Sequence, residues 1–270
     1  MDDIILSVAP SVPWKGEEKN PRFAPEKIIE EAVHCTEEGA SIIHLHPGES
    51  RDMSPRKMGG LEETFRGIYD RTDLIIEAGT NRAPGLAPEE RILPATLEGT
   101  VFSSLSMGSF NGREGVYTQT TEQILLYLDR MEQYGVKPTL EIYDTGHLAF
   151  ARYLIDEGHL IPPFNFTFKF NIPWGMVFSR ELLSYLVSQL PQESNWGALF
   201  AGARDFTSYL SAAELGADFL RVGFEHSPLL GGPEVFTNAQ LVRLLRQQLE
   251  ERGRKAMSPH DTIRKMLLSC

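Results

Sequence analysis

The chain has 270 residues, 41% of them hydrophobic and 23% charged, enough apolar material for a large core and too much for disorder. Its 26 Lys and Arg against 37 Asp and Glu give a net charge of −11 with no basic run, which argues against nucleic acid and anionic lipid as partners. Asp2 and Asp3 stand where a secretory signal carries positive charge, and no stretch of about 18 apolar residues occurs, so a soluble, cytoplasmic protein is expected. Cys35 and Cys270 form neither a disulfide framework nor a thiolate site, which leaves His and carboxylate as the ligands for any metal.

Along the chain, β-branched or apolar runs alternate with helical periodicity. Ile4–Val8 is followed by a helix from Pro25 to Gly39, Ser41–Leu45 by Leu61–Tyr69, and Leu74–Glu77 by Pro88–Glu98. Phe102–Leu105 precedes Thr120–Tyr134, Thr139–Ile142 precedes Leu148–Glu157, and Asn165–Phe170 precedes Glu181–Leu190. Trp196–Ala201 with Phe206–Leu215, and Phe219–Val222 with Asn238–Arg252, complete eight units. Eight such units predict an α/β fold, a (β/α)8 TIM barrel of one domain over residues 1–270 with a short extension after about 253. An open doubly wound sheet is the alternative, but the glycine fingerprints that accompany it are absent. The long connections Ala9–Ala24 and Pro47–Gly60 follow strands and are expected over the C-terminal mouth, where barrels carry their active sites.

Polar residues collect at strand ends. His44 and His46 close strand two, Thr80 and Asn81 strand three, Ser104 and Ser106 strand four, Glu141 strand five, Asn171 strand six, and Arg221 and Glu225 strand eight. Residues two apart on a strand share a face, so His44 and His46 can offer two imidazoles to one ion, the plain alternative being two hydrogen-bonded polar residues at a strand end. Glu225 lies two strands away around a closed barrel, which makes a set of two histidines and one glutamate with open positions available. Glu141 in a half-buried strand needs a partner or a shifted pKa, a structural ion pair being the plain alternative. Arg221 can grip a carboxylate bidentately, or simply pair with Glu141 or Glu225. His34, His147, His159 and His260 have no motif context and are expected to be surface or capping residues.

The runs Ile42-Ile43-His44-Leu45-His46, Leu140-Glu141-Ile142-Tyr143, Arg221-Val222-Gly223-Phe224-Glu225 and Asn238-Ala239-Gln240-Leu241-Val242 together resemble the β-keto acid cleavage enzyme family. The likeness runs from the first strand to Met257-Ser258-Pro259. It implies a zinc-dependent (β/α)8 enzyme, usually a homotetramer, that converts a β-keto acid and acetyl-CoA into acetoacetate and a new acyl-CoA. By matching position it implies His44, His46 and Glu225 as zinc ligands, Glu141 as a catalytic carboxylate, Arg221 as a substrate-activating group and Thr80 as a pocket residue. Gly79, Ser104 and Ser106 join Thr80 as substrate-binding candidates.

Three positions depart from the family pattern. Pro47-Gly48-Glu49 replaces a segment that usually carries an arginine, Gly79 stands where serine is frequent, and His226 replaces an aspartate that partners the arginine. His226 is therefore the candidate proton acceptor, its pKa lowered by the neighbouring guanidinium and metal, with a pocket-shaping role as the alternative. Other readings of the same site are a metal-dependent hydrolase or aldolase working without CoA, and a zinc-bearing barrel that has become a binding subunit.

Overall fold

The computed structural model describes residues 3–10, 25–46, 59–80, 85–112, 115–232, 234–235 and 237–268. Eight parallel strands close into a barrel: β1 (Ile5–Val8), β2 (Ile42–Leu45), β3 (Ile75–Gly79), β4 (Thr100–Ser106), β7 (Lys137–Ile142), β8 (Phe164–Phe170), β9 (Ser194–Phe200) and β10 (Phe219–Val222). Their order around the wall is β1-β10-β9-β8-β7-β4-β3-β2. Most are buried on both faces, which is why they read as near-continuous apolar runs rather than alternating ones. The outer ring comprises α1 (Pro25–Glu37), α2 (Gly59–Arg71), α3 (Pro88–Arg91), α4 (Thr121–Gln133), α5 (Thr145–Asp156), α6 (Arg180–Ser188), α7 (Thr207–Glu214) and α8 (Asn238–Glu250). The (β/α)8 expectation is met, and among the described residues no helix is long and apolar enough to cross a membrane.

Local chemistry sets the helix starts. Thr120 with Gln123 and Thr237 with Gln240 form reciprocal capping boxes on α4 and α8, and Asp144 and Ser179 cap α5 and α6. The helix expected over Pro88–Glu98 is instead the short α3 followed by a 3₁₀ turn at Leu93–Thr96. Pro94 explains the break, since it has no N–H for the Glu90 carbonyl and its ring crowds that oxygen.

Two elements lie outside the eight-unit pattern. A hairpin of β5 (Phe110–Gly112) and β6 (Gly115–Tyr117) sits on the connection after β4, with Phe110 opposite Tyr117. The segment after 253 is a structural part of the barrel: Met257 N–H donates to Ile4 O at 2.9 Å, and α9 (Pro259–Met266) lies across the N-terminal end. There Met266 packs with Ile5, Ile42, Ile75, Phe102 and Phe219 as an apolar floor. Asn165 and Asn195 donate to the Met266 and Lys265 carbonyls at 2.9 and 3.2 Å, satisfying the end of α9.

Above that floor the barrel interior is polar. Two residues beyond each floor residue, and so on the same face, come Ser7, His44, Glu77, Ser104 and Arg221, all buried. Residues 11–24 and 47–58, which hold most of the two long connections and the Pro47-Gly48-Glu49 departure, and Asn81 lie outside the described residues.

Candidate metal centre and its buried charge network

His44 and His46 leave β2 on the same face, and their Nε2 atoms stand 3.1 Å apart. Gly223 turns the chain after β10 with a φ of +146°, and a Cβ there would lie 2.0 Å from the Ala9 carbonyl oxygen, so glycine alone fits. That turn brings Glu225 to the histidines, with Oε1 3.4 Å from His46 Nε2 and Oε2 3.9 Å from His44 Nε2. One ligand atom from each of the three residues lies within 4.8 Å of the others.

The outer nitrogens of both rings are already committed. His44 Nδ1 is 2.7 Å from Glu77 Oε2, and His46 Nδ1 is 3.2 Å from the Thr80 carbonyl. Both partners accept only, so a ring in its neutral form at either position carries its proton on Nδ1 and turns an Nε2 lone pair inward. Two lone pairs facing each other beside a carboxylate form a donor set that a divalent cation completes, and two imidazoles with one carboxylate suit zinc. Burial, followed by Arg221, holds His44 down to about 4, so a proton is a poor substitute for that cation.

Around this triad runs a chain of buried charges. Arg221 Nη2 donates to Glu77 Oε2 and Nη1 to Glu141 Oε1 at 3.4 Å. Glu141 Oε1 also meets Lys169 Nζ at 2.5 Å, while its Oε2 accepts from Ser106 Oγ at 3.3 Å and Tyr143 OH at 3.1 Å. Burial would raise Glu77, yet Arg221 and then His44 bring it down to about 2. The plain alternative for Arg221, a partner of Glu141, is therefore realised, and Glu77 is a second partner. Its Nε has no hydrogen-bond partner among the described residues.

The remaining predicted site residues take distinct places. Thr80 is buried at the end of β3, its hydroxyl 3.5 Å from Tyr117 OH. Gly79 serves His46 directly, because a Cβ there would stand 2.2 Å from the imidazole; the absence of serine makes room for the ring. Ser106 holds Glu141, and Ser104, one face-repeat below it, registers against Gly79 and Thr139. His226 Nδ1 lies 3.6 Å from Glu225 Oε2, and its pKa is lowered to about 3. Burial is the first cause there, opposed by Glu225 and reinforced by Lys169 and Arg221.

His147, expected as a surface or capping residue, is buried and acts at the helix start: its Nδ1 accepts from Tyr143 N–H at 3.4 Å, just before α5, and its Nε2 faces Ser109 O at 3.2 Å. It pins the strand end that carries Tyr143 to the start of the hairpin. Phe110 of that hairpin stacks on Tyr143 with centroids 3.9 Å apart, and Arg91 lies 4.6 Å over the Tyr117 ring.

Sequence reasoning does not single out Glu77, Lys169, Tyr143 or the hairpin aromatics as site residues. The first two carry the same signal as Glu141, a lone charge inside an apolar strand: Ile75-Ile76-Glu77-Ala78 and Phe168-Lys169-Phe170. Placing the end of strand three at Glu77, instead of two residues later, hides the first.

The beta-keto acid cleavage enzyme family profile matches residues 3–268. The chain belongs to that family. It is accordingly an enzyme of carbon–carbon bond cleavage. It is 29% identical to a 3-keto-5-aminohexanoate cleavage enzyme of Acetoanaerobium sticklandii over 97% of both chains. Identity is also 29% to a 3-dehydrocarnitine:acetyl-CoA trimethylamine transferase of Rhizobium meliloti, over 91% of this chain and 89% of that one. A 3-oxoadipate:acetyl-CoA acetyltransferase of Cupriavidus necator is 24% identical over 93% of this chain and 89% of its own. Among solved structures, the apo form of ObcA superposes with a TM-score of 0.75 at 17% identity, covering 90% of this chain. The chain spans 64% of ObcA's length, and the likeness is one of fold.

Proposed function

We infer that this enzyme carries out an acetyl-CoA-dependent cleavage of a β-keto acid, with zinc on His44, His46 and Glu225, yielding acetoacetate and the CoA thioester of the remaining acyl fragment. The observation that carries the metal assignment is the pair of inward Nε2 lone pairs 3.1 Å apart beside Glu225. Acetyl-CoA comes from the names of two relatives, which pair it with 3-dehydrocarnitine and 3-oxoadipate. A bound zinc ion supplies Lewis acidity that polarises the keto oxygen and makes the C2 proton acidic.

The chain's own residues do the remainder. The C2 proton passes to water and C2 bonds to the acetyl carbonyl as CoA thiolate leaves; the thiolate then attacks the original keto carbon, the C2–C3 bond breaks, the C2 carbanion takes a proton back from water, and acetoacetate and the new acyl-CoA separate. Arg221 counters the substrate carboxylate through the N–H groups that Glu77 and Glu141 leave over, Nε among them. Glu141, fully buried and held by Lys169, Arg221, Ser106 and Tyr143, orients Arg221 and does not shuttle protons. His226 is neutral at working pH and shapes the pocket beside Glu225. Thr80 and the Tyr117 hydroxyl form the wall on the β3 side. The family likeness supports a homotetrameric, cytoplasmic enzyme, and the acidic net charge fits that setting.

The test is a panel of β-keto acids with and without acetyl-CoA, run on protein of measured zinc content. Acetoacetate release that needs both acetyl-CoA and zinc is expected. Zinc-dependent turnover without acetyl-CoA would replace this reading with a hydrolase or aldolase.

A further inference from the structure

Glu77 is one residue to which nothing in the reaction itself assigns a part, yet it touches both halves of the site. It lies on β3 directly opposite His44 on β2 in the strand register, and its side chain is almost completely buried. A single oxygen, Oε2, accepts from His44 Nδ1 at 2.7 Å and from Arg221 Nη2. Arg221 comes from β10, separated from β3 along the wall by β1 and β2. Its register partner on β1 is Ser7, small and buried, which leaves the interior open on that side.

We propose that Glu77 is a positioning residue that sets the histidine face of the metal site and the guanidinium of Arg221 through one shared oxygen. The proposal rests on the reading of His44, His46 and Glu225 as the metal ligands. A carboxylate on the outer nitrogen fixes the ring as the Nδ1–H tautomer and makes Nε2 a better donor to a cation. A histidine side chain free in water favours the Nε2–H tautomer, so Glu77 imposes a proton placement that the ring alone does not prefer. The same oxygen anchors one terminal nitrogen of Arg221 while Glu141 anchors the other, leaving the guanidinium little freedom to rotate. Because the acceptor is shared, strengthening one donor draws on the other. Metal binding at His44 and anion binding at Arg221 are therefore coupled, and the coupling acts equally in both directions.

The experiment compares the wild type with Glu77→Gln and Glu77→Asp, both checked for folding by circular dichroism in chelator. Zinc affinity is read by chelator competition, and the His44 tautomer by ¹⁵N chemical shifts in metal-free protein. Glu77→Gln should bind zinc about 10–100-fold more weakly. Its His44 should lose the pure Nδ1–H signature, and Glu77→Asp should recover part of both. If Glu77→Gln fails to fold, Glu77→Asp, which keeps the charge but shortens the reach, carries the same comparison. Wild-type zinc affinity with an unchanged tautomer in Glu77→Gln, or in Glu77→Asp where only that variant folds, overturns the proposal. Neither readout needs a substrate, so an inactive wild type would refute the proposed reaction without touching Glu77. A wild type that binds no zinc at all would refute the metal site and this proposal together.

Discussion

Arg221 spends its two terminal nitrogens on two different carboxylates, Glu77 and Glu141, through two donor atoms held in one plane, where an ammonium has a single nitrogen. Arg221→Lys keeps the charge and loses one anchor, so kcat/KM on the best β-keto acid should fall by about 100-fold; an unchanged value would remove the guanidinium geometry from the mechanism. His226 makes a different prediction. Burial disfavours its imidazolium and places its pKa near 3, so lowering the pH from 8 to 5 leaves the ring neutral. His226→Gln should keep the shape of the pH–rate profile over that range and change substrate preference, and a lost limb near neutral pH would reinstate it as the base. Much of this site is legible in the sequence: His44 and His46 by period two, Glu141 and Arg221 as charges in apolar strands, Glu225 by its place after the last strand. Gly79 is legible only in the structure, because its meaning is the absence of a Cβ against His46.

The elements of the barrel follow from alternation of apolar runs and capped helices, and these signals are local. What escapes them depends on partners distant in sequence. The hairpin β5–β6 is two three-residue strands, too short for a period to show, and it matters because Phe110 reaches Tyr143 and Tyr117 reaches Thr80. The helix α9 has a clear start in Ser258-Pro259, yet nothing local says that Met266 fills the floor of the barrel. Met266→Ala should cost roughly 2–5 kcal/mol of stability, the range for deleting a buried long side chain. Chemical denaturation of the two proteins checks this, and a loss below about 0.5 kcal/mol, the scale of a surface substitution, would place α9 outside the cooperative core.

At the scale of the whole molecule, the two ends of the barrel have opposite characters: an apolar floor closed by the chain's last helix, and a charged interior beneath the mouth. The buried charges named at the upper end are Glu77, Glu141 and Glu225 against Arg221 and Lys169. With a divalent cation they leave one net positive charge, which a single substrate carboxylate neutralises; the site is balanced for an anion carrying one carboxylate at the reacting end. The same balance would serve a hydrolase or an aldolase, so the charge pattern alone does not choose the reaction. The deciding measurement is the fate of label from acetyl-CoA carrying ¹³C in both acetyl carbons, incubated with the zinc-loaded enzyme and a β-keto acid it turns over. The acetyl carbons should appear as C3 and C4 of acetoacetate, in step with loss of the keto acid. Unlabelled products at full turnover, with acetyl-CoA left intact, would contradict the proposed reaction.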